Sequence, residues 1–156
     1  MSESKPRVLA VCVSPGGIPK IPVDRAVVGE EGLAGDGRDH EKHRKPSRAV
    51  LIQDEELLSE LRADGYEVSW GSLGENLTVR DLHVQRMEAG RRLRFSGGLE
   101  LELTEPRRPC YVLDAIDPKL KEVVVGRCGF MTRVVKPGVI RPGETIEAVD
   151  PPGGEE

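Results

Sequence analysis

A cysteine that follows a short run of prolines and arginines is the best candidate for chemistry in this chain. Cys110 closes the segment Pro-Arg-Arg-Pro-Cys, which comes directly after a stretch of alternating leucine and glutamate. The thiolate form of cysteine is the nucleophile and the metal ligand, and neighbouring cations favour it. Arg107 and Arg108 supply such cations here. The segment therefore predicts that Cys110 is the acting residue of the protein.

Three further segments carry polar residues between glycines. In Gly-Leu-Ala-Gly-Asp36 the glycines allow close backbone approach to a ligand, although the spacing alone favours a tight turn in which the aspartate bonds its own backbone. In Gly-Glu75-Asn76-Leu-Thr, Glu75 is either an acid or base or part of a network that stabilises the turn. In Gly-Arg127-Cys128-Gly-Phe, the arginine can reach an anion and the cysteine is expected to be buried.

A basic segment lies within the long charged loop expected at residues 30–47 and continues to the strand that follows. Its cationic and histidine residues are Arg38, His40, Lys42, His43, Arg44, Lys45 and Arg48. Such a segment favours a small anionic ligand, because arginine forms paired hydrogen bonds with phosphate or carboxylate oxygens. Most of these side chains are expected to be solvated, but Arg48 enters a strand and is expected to point inward. His40 and His43 would share a helical face for a metal, yet their surroundings do not favour a helix, and their role stays open.

Composition limits the possible classes of function. The formal net charge of −4 argues against a general binder of nucleic acid or anionic membrane, which needs a surplus of lysine and arginine. The apolar run at residues 8–13 is too short for a signal sequence or a membrane span. Three cysteines without a Cys-x-x-Cys spacing fit a reducing compartment and exclude the usual zinc-finger spacings. We expect one cytoplasmic domain over residues 1–156, with its core at 8–149 and a flexible tail at 150–156.

Short strands outnumber helices in the pattern along the chain. Strands are predicted at residues 7–13, 21–28, 48–53, 76–80, 91–95, 99–104, 130–135 and 144–149. The best helix is predicted at 55–63, with Asp54 as N-cap and Gly65 suited to the C-terminal cap. A second short helix is expected at 118–125, with Asp117 capping it. Cys12, inside the first strand, is expected to be a small core side chain.

These elements favour a mainly β fold. Many short strands, few helices and frequent turn glycines are typical of a small closed or partly closed β-barrel with a few peripheral short helices. A parallel doubly wound sheet would need a helix between most strands. The chain offers only two convincing helices, so we expect the barrel.

Taken in order, the segments resemble the MOSC family, named for the carboxy-terminal domain of molybdenum cofactor sulfurase. The matching motifs are Gly-Leu-Ala-Gly-Asp36, Arg48-Ala-Val, Gly-Glu75-Asn76-Leu-Thr, Pro-Arg107-Arg108-Pro-Cys110 and Gly-Arg127-Cys-Gly-Phe. The resemblance covers about residues 8–149. It implies a β-barrel-like fold, in agreement with the strand pattern.

The resemblance also implies roles for individual residues. Cys110 occupies the position of the functional cysteine of the family, which is proposed to carry sulfur as a persulfide or to ligate the molybdenum of a pterin cofactor, molybdopterin. A soft thiolate suits both tasks. The residues assigned by this resemblance to cofactor binding are Asp36, Arg48, Glu75, Asn76, Arg107, Arg108 and Arg127, with the arginines holding the phosphate.

The departures from the family point to partner proteins. The chain has no space for the pyridoxal-phosphate domain of the sulfurase enzyme, so sulfur would come from a partner such as a cysteine desulfurase. Three dispersed cysteines do not ligate an iron–sulfur cluster that usually takes four, so electrons would come from a separate electron-donor protein. We expect no nucleic acid and no membrane among the partners.

Three functions remain open at this point. The first is a sulfur carrier or molybdopterin-binding protein that uses Cys110. The second is a molybdenum-dependent reductase component for N-hydroxylated substrates, with Cys110 on the metal. The third is a non-catalytic module that binds a small anion through its basic loop.

Overall fold

The structure, a computed structural model, describes residues 5–14, 20–36, 48–108, 113 and 116–149. Cys110, the histidines at 40 and 43 and the tail at 150–156 lie outside these residues. The strands are β1 (Arg7–Val13), β2 (Ile21–Val23), β3 (Ala26–Gly29), β4 (Gly32–Leu33), β5 (Val50–Asp54), β6 (Leu77–Arg80), β7 (Arg92–Phe95), β8 (Glu100–Pro106), β9 (Phe130–Lys136), β10 (Gly138–Ile140) and β11 (Ile146–Val149). The helices are α1 (Glu55–Ala63), α2 (Leu120–Val123) and a 3-10 helix at Val84–Arg86.

Eight of the strands form one curved sheet, in the order β11-β7-β8-β9-β5-β6-β1-β2. All neighbours in it run antiparallel except β5 and β6. The start of β1 and the residues just before β11 are linked by a bridge between Arg7 and Thr145 and by a hydrogen bond of 2.8 Å from the Val8 N–H to the Glu144 carbonyl. The sheet therefore curls so that β1, next to its end strand β2, approaches the residues before β11 at the other end, without a continuous ladder and without full closure. The prediction of a mainly β, partly closed barrel is confirmed.

A second sheet of three strands, in the order β10-β3-β4, lies beside the first. The sequence pattern predicted one strand at 21–28, but the chain breaks there into β2 and β3, which belong to different sheets. The two-residue strand β4 lies inside the predicted loop, and β10 was not predicted. Both strands are too short to show a periodic pattern. They owe their extended form to pairing with β3.

Alternation along β8 explains how the large sheet closes over a core. Leu101 and Leu103 are buried, while Glu100 and Glu102 face the arginines of neighbouring strands, as the alternating pattern predicted. The main core is built from strand residues such as Val11, Ile52, Leu77, Leu93 and Phe130. A smaller cluster packs under the helices and includes Leu57, Leu58, Leu61, Leu113, Leu120 and Cys128.

Helix α1 covers the residues that the sequence predicted. Leu57, Leu58 and Leu61 form its buried face, because positions three and four residues apart lie on one side of a helix. Asp54 is the N-cap residue, but its side chain makes no capping bond and instead accepts a hydrogen bond from the Val84 N–H at 3.1 Å. Gly65 follows the last turn with φ +101°, a conformation that glycine adopts readily.

Helix α2 is shorter than its predicted range of 118–125. Asp117 accepts a hydrogen bond from the Lys119 N–H at 2.8 Å, a local turn, and Lys119 is the N-cap residue. The predicted capping role of Asp117 was therefore wrong by two residues. Within the described residues, no helix is long and apolar enough to cross a membrane.

Candidate functional site

The chain that leads to Cys110 is anchored at the end of β8. The Arg107 N–H donates to the Gly129 carbonyl at 2.9 Å, and the Arg107 guanidinium donates to the Leu73 carbonyl. The Cys128 thiol donates to the Arg107 carbonyl at 3.2 Å. These three contacts hold Arg107 between the segment around Glu75 and the segment around Cys128. Arg107 thus fixes the start of residues 107–110, the segment predicted to form a loop that ends at Cys110 and named here the cysteine loop.

Glu75 is buried and lies at the centre of a hydrogen-bond network. Its Oε2 accepts hydrogen bonds from the Gly71 N–H at 2.9 Å and from the Thr78 hydroxyl at 2.6 Å. Burial raises the pKa of the Glu75 carboxyl, and the Thr78 and Gly71 hydrogen bonds and the Arg107 charge oppose that rise. Glu75 Oε1 is buried with no hydrogen-bond partner among the described residues. The structure therefore shows hydrogen bonds that stabilise the turn, and the acid or base role of Glu75 stays a prediction.

Asn76 joins three parts of the fold. Its Oδ1 accepts a hydrogen bond from the Leu51 N–H at 3.1 Å, so it bonds β5. Its Nδ2 donates to the Cys12 carbonyl at 3.2 Å, on β1, and to Asp36 Oδ2 at 3.0 Å. A side-chain amide can donate and accept at once, which a carboxylate in the same position cannot do. Asn76 therefore connects the Asp36 turn to the sheet.

Asp36 lies in an ion pair that the sequence did not reveal. Lys20 Nζ lies 2.7 Å from Asp36 Oδ2, and the carboxylate side chain is only 1% exposed. The Ser14 N–H donates to Asp36 Oδ1 at 3.0 Å. Its oxygens accept from Ser14, Lys20 and Asn76 in other segments. The residues that follow Asp36 in its turn lie outside the described residues, so the expected bond to its own backbone stays a prediction. Lys20 lies 16 residues before Asp36 with no local motif, so no sequence signal marked it.

Cys12 is a buried thiol, as the sequence predicted. Burial, above all, and the nearby Glu75 and Asp36 carboxyls raise the pKa of Cys12 to about 12. The Lys20 charge opposes this rise. Gly71 packs against the Cys12 thiol, since a Cβ on Gly71 would lie 3.1 Å from Cys12 Sγ and 2.2 Å from the Lys20 carbonyl oxygen. Cys12 is therefore protonated near neutral pH and is not a nucleophile.

The remaining predicted arginines have different surroundings. Arg48 was expected to point inward, but it is exposed, because its guanidinium pairs with Glu105 at 2.9 Å on the surface. Arg127 donates to Glu60 at 2.9 Å and to the Val123 carbonyl at 3.0 Å, so it is directed toward α1 and α2. Arg108 is exposed and forms no ion pair with a described residue. Arg107 and Arg108 are therefore the arginines beside the cysteine loop.

The backbone at Gly129 brings the segment at residues 126–130, which carries Cys128, close to β5. Gly129 has φ +104°, and a Cβ there would lie 2.7 Å from the Ile52 carbonyl oxygen. Its N–H donates to the Gln85 side chain, and the Gln53 amide donates to the Arg127 carbonyl at 3.3 Å. Close approach of this kind requires glycine. Together with the Arg107 contact, it joins the segment at 126–130 to the end of β8.

The structure thus brings together the ends of four of the segments marked by the sequence. Asp36 and Asn76 are in direct contact, Glu75 and Arg107 interact electrostatically, and Arg107 bonds Gly129. Lys20 and Thr78 complete the network. Lys20 was missed, and Thr78 was part of a marked motif but was given no role. Arg48 and the Arg127 side chain lie apart, in ion pairs of their own.

A comparison with models of protein families identifies a family for this chain. The model described as "MOSC domain" matches residues 39–147. A protein named "Reductase" from Gibberella moniliformis is 30% identical over 131 residues, which is 78% of this chain and 23% of the relative. The uncharacterized protein YflK from Bacillus subtilis is 32% identical over 145 residues, which is 84% of this chain and 62% of the relative. The chain thus spans less than two thirds of the length of either relative.

Solved structures with the same fold are also found. The YiiM protein from Geobacillus stearothermophilus matches with a TM-score of 0.78 and 24% identity, over 93% of this chain and 75% of that chain. The YUAD protein from Bacillus subtilis matches with a TM-score of 0.79 and 19% identity, over 94% of this chain and 97% of that chain. At these identities the likeness shows the fold.

Proposed function

This chain belongs to the MOSC domain family, and we propose that it binds a molybdopterin-type cofactor or carries sulfur for it, with Cys110 as the acting thiolate. Family membership and the reductase-named relative indicate, in general terms, a function connected with the molybdenum cofactor. The residue roles, the partners and a cytoplasmic location are part of our proposal.

The observation that carries the proposal is the fixed position of Arg107. Its backbone is bonded to Gly129 and its side chain to the Leu73 carbonyl, so the cysteine loop begins where the conspicuous glycine-containing segments meet. A loop held by a rigid scaffold is the usual place for a reactive side chain. Cys12 and Cys128 are both buried, which favours Cys110 as the thiol that reacts.

The residues near this loop suit the chemistry of a phosphate-bearing pterin. A guanidinium has five N–H donors, and Arg107 uses its side chain for the Leu73 carbonyl while Arg108 forms no ion pair among the described residues. Arginine recognises phosphate through such donors. We therefore assign the phosphate to Arg107 and Arg108, whereas Arg48 and Arg127 would first have to leave their carboxylate partners. When bound, the cofactor supplies a molybdenum centre that exchanges electrons or accepts sulfur.

The sulfur-carrier form of the proposal involves one exchange. The Cys110 thiolate attacks the outer sulfur of a persulfide on a partner cysteine desulfurase, whose pyridoxal phosphate serves to release that sulfur from free cysteine. A new sulfur–sulfur bond forms on Cys110, and the sulfur–sulfur bond on the partner breaks. The partner cysteine leaves as a thiolate, so atoms and electrons balance.

Intact-mass measurement tests this exchange. After incubation with a cysteine desulfurase and cysteine, we expect the protein to gain the mass of one sulfur atom. The gain should disappear in Cys110→Ala and survive in Cys12→Ala and Cys128→Ala, which are the matched controls. Sulfur spread evenly over the three thiols would contradict the carrier function.

A second candidate function is a molybdenum-dependent reductase component for N-hydroxylated compounds. The relative named "Reductase" favours it, although this chain covers only 23% of that protein. In this case Cys110 ligates the molybdenum, and a partner protein supplies the electrons. Protein made with its natural cofactor supply should then retain molybdenum and reduce a hydroxylamine when given an electron donor. Loss of both in Cys110→Ser supports this function, and full activity in that variant contradicts it.

The phosphate assignment has a separate test. Arg108→Gln should lower the molybdenum content of protein purified from cells with an active cofactor supply, because one phosphate contact is lost. Arg94→Gln removes another exposed charge, opposite the start of β8 and away from the end that leads to Arg107, and should leave the content unchanged. Equal molybdenum in both variants would remove Arg108 from the cofactor site.

A further inference from the structure

One edge of the large sheet differs from the rest. β5 and β6 are its parallel pair, with Asp54 opposite Val79, so their carboxyl ends meet at the same edge. β5 runs directly into α1, and β6 runs into the segment at residues 81–83. Side chains that follow the carboxyl ends of neighbouring parallel strands are a common source of ligand sites. The histidine of this segment was not singled out by its sequence pattern.

Three potential metal ligands converge at this edge. Glu56 lies in the first turn of α1, and Asp81 and His83 follow β6. Each offers one ligand atom, and these atoms all lie within 4.8 Å of one another. All three residues are half-buried. A single cation at the centre of the group would therefore be within reach of an imidazole nitrogen and two carboxylate oxygens.

The Glu56 carboxylate has an unused oxygen. Its Oε2 accepts a hydrogen bond from the Asp81 N–H at 2.9 Å, which joins the two ligand-bearing segments. Its Oε1 is buried and has no hydrogen-bond partner among the described residues. A buried acceptor without a donor is destabilising, and a bound cation removes that cost. Neither Glu56 nor Asp81 forms an ion pair with a lysine or arginine among the residues that the structure describes.

The donor set selects the kind of cation. Ca²⁺ and Mg²⁺ prefer oxygen ligands alone, whereas imidazole suits zinc and its neighbours in the first transition row. Zinc accepts three protein ligands from histidine and carboxylates and keeps a fourth position for water. We propose that Glu56, Asp81 and His83 form a binding site for a divalent transition metal ion of the zinc class. The site is separate from the Cys110 loop in its residues and does not depend on the function proposed for that loop.

The backbone at this site guides the choice of variants. Asp81 has φ +68° and His83 has φ +57°, in the left-handed region that asparagine tolerates better than most residues. Asp81→Asn and His83→Asn therefore remove a ligand and retain a side chain suited to the backbone. Glu56→Gln retains an oxygen that can accept from the Asp81 N–H. Each variant is expected to keep the fold, which a thermal melt without metal checks.

The experiment is a zinc titration of the full chain against a chromophoric chelator, in a Cys110→Ser background so that this thiol does not bind the ion. We expect one zinc per chain, and a weakening of at least about tenfold in each of the three ligand variants. Cobalt(II) in the same site should give visible absorption without a sulfur-to-metal band. If one variant fails to fold, the other two still decide the question.

Two control variants separate this site from other sources of zinc binding. Glu67→Gln removes an exposed carboxylate at a distance in sequence from the site and should leave the zinc affinity unchanged. A variant with both His40→Asn and His43→Asn should also keep the affinity, because these histidines are not part of the proposed site. Absence of zinc binding in the Cys110→Ser protein would overturn the proposal. Unchanged affinity in the ligand variants, or its loss in the double histidine variant, would also overturn it.

Discussion

The reactivity of each thiol in this chain depends on its surroundings. Cys12 lies inside β1, among Glu75, Asp36 and Lys20, where burial raises the pKa of its thiol to about 12. The Cys12 side chain is therefore protonated at about pH 8. A thiol of this kind contributes to packing and does not attack an electrophile.

Alkylation of the folded protein tests this difference. At about pH 8, iodoacetamide should leave Cys12 unmodified, because both its burial and its raised pKa protect it. Peptide mapping by mass spectrometry measures the modified fraction at each cysteine. The same reaction in denaturant is the control, and there Cys12 should react fully. Rapid labelling of Cys12 in the native protein would contradict this placement.

Glu75 connects protonation to stability. Burial raises the pKa of its carboxyl above the ordinary value of 4.5, so the folded state holds the proton more tightly than the unfolded state. The stability that comes from this difference is fully present below pH 4.5 and is lost as the pH rises through the raised folded pKa. Glu75 thus makes the fold less stable as the pH increases.

Glu75→Gln removes this dependence, since glutamine does not ionise and its oxygen can still accept from Gly71 and Thr78. Relative to the original protein, the variant should gain in free energy of unfolding between about pH 5 and about pH 8. Urea unfolding at both pH values gives the comparison. Glu67→Gln, at an exposed position, should show no such gain. A constant difference at both pH values would argue against a raised pKa for Glu75.

At the scale of elements, two glycines frame Cys128 and differ in one respect. Gly126 has φ +77° with no atom within 4 Å of a Cβ placed on it, whereas Gly129 has φ +104° with the Ile52 carbonyl oxygen at 2.7 Å. Both positions strain any other residue, but only Gly129 also holds β5 and the 126–130 segment in close approach.

These glycines form a matched pair of variants. Gly126→Ala should lower the free energy of unfolding by about 1 kcal/mol through backbone strain alone. Gly129→Ala should lower it by about 2 to 4 kcal/mol, because the added methyl group also displaces β5 or the segment itself. Urea unfolding of both variants provides the measurement. Equal losses would mean that the contact with Ile52 carries no energetic weight.

The sequence predicted elements whose pattern is local. Helix α1 matched at both ends because its leucines, its N-cap position and Gly65 lie within a dozen residues of one another. β7 and β8 were predicted because alternation and a glycine turn are also local signals. β4 and β10 depend on pairing with β3, and a strand of two or three residues carries no periodic pattern.

The same limit applies to the site. The motifs at Asp36, Glu75 and Asn76 were visible as glycine-framed polar residues, but the Lys20 partner of Asp36 lies far along the chain without a motif. Arg48 was assigned to the interior because it borders a buried strand, and its exposed partner, Glu105, is 57 residues away. Pairings across such separations depend on the folded sheet, so residue types and spacing alone did not reveal them.

At the scale of the whole molecule, the near-closure of the large sheet depends on a few contacts around Glu144. The Glu144 carbonyl accepts from the Val8 N–H, and its carboxylate accepts from the Gly97 N–H at 2.8 Å and the Arg141 N–H at 3.0 Å. The buried Glu144 side chain therefore joins the turn between β7 and β8 to the residues just before β11, which lie beside β1.

Glu144→Ala should lower the free energy of unfolding by about 2 to 3 kcal/mol, because two backbone N–H groups lose their acceptor. It should also speed hydrogen exchange at the Val8 and Ile146 amides, which donate hydrogen bonds across the seam, the line of contact between the β1 and β11 sides of the large sheet. Glu147→Ala, on the exposed side of β11, should change stability by less than about 0.5 kcal/mol. Similar exchange rates in the two variants would show that the seam does not rely on Glu144.

The strand order has a consequence for how the molecule opens. β5, β6, β8 and β9, which lead to the residues around Arg107, Glu75 and Gly129, each have a hydrogen-bonded neighbour on both sides, whereas β2 and β11 lie at the ends of the order. Local opening begins where fewest contacts must break. Thermal fluctuations can therefore fray the seam between β1 and β11 while the strands that lead to Arg107, Glu75 and Gly129 remain paired. The contacts that fix Arg107 would then outlast the near-closure of the sheet.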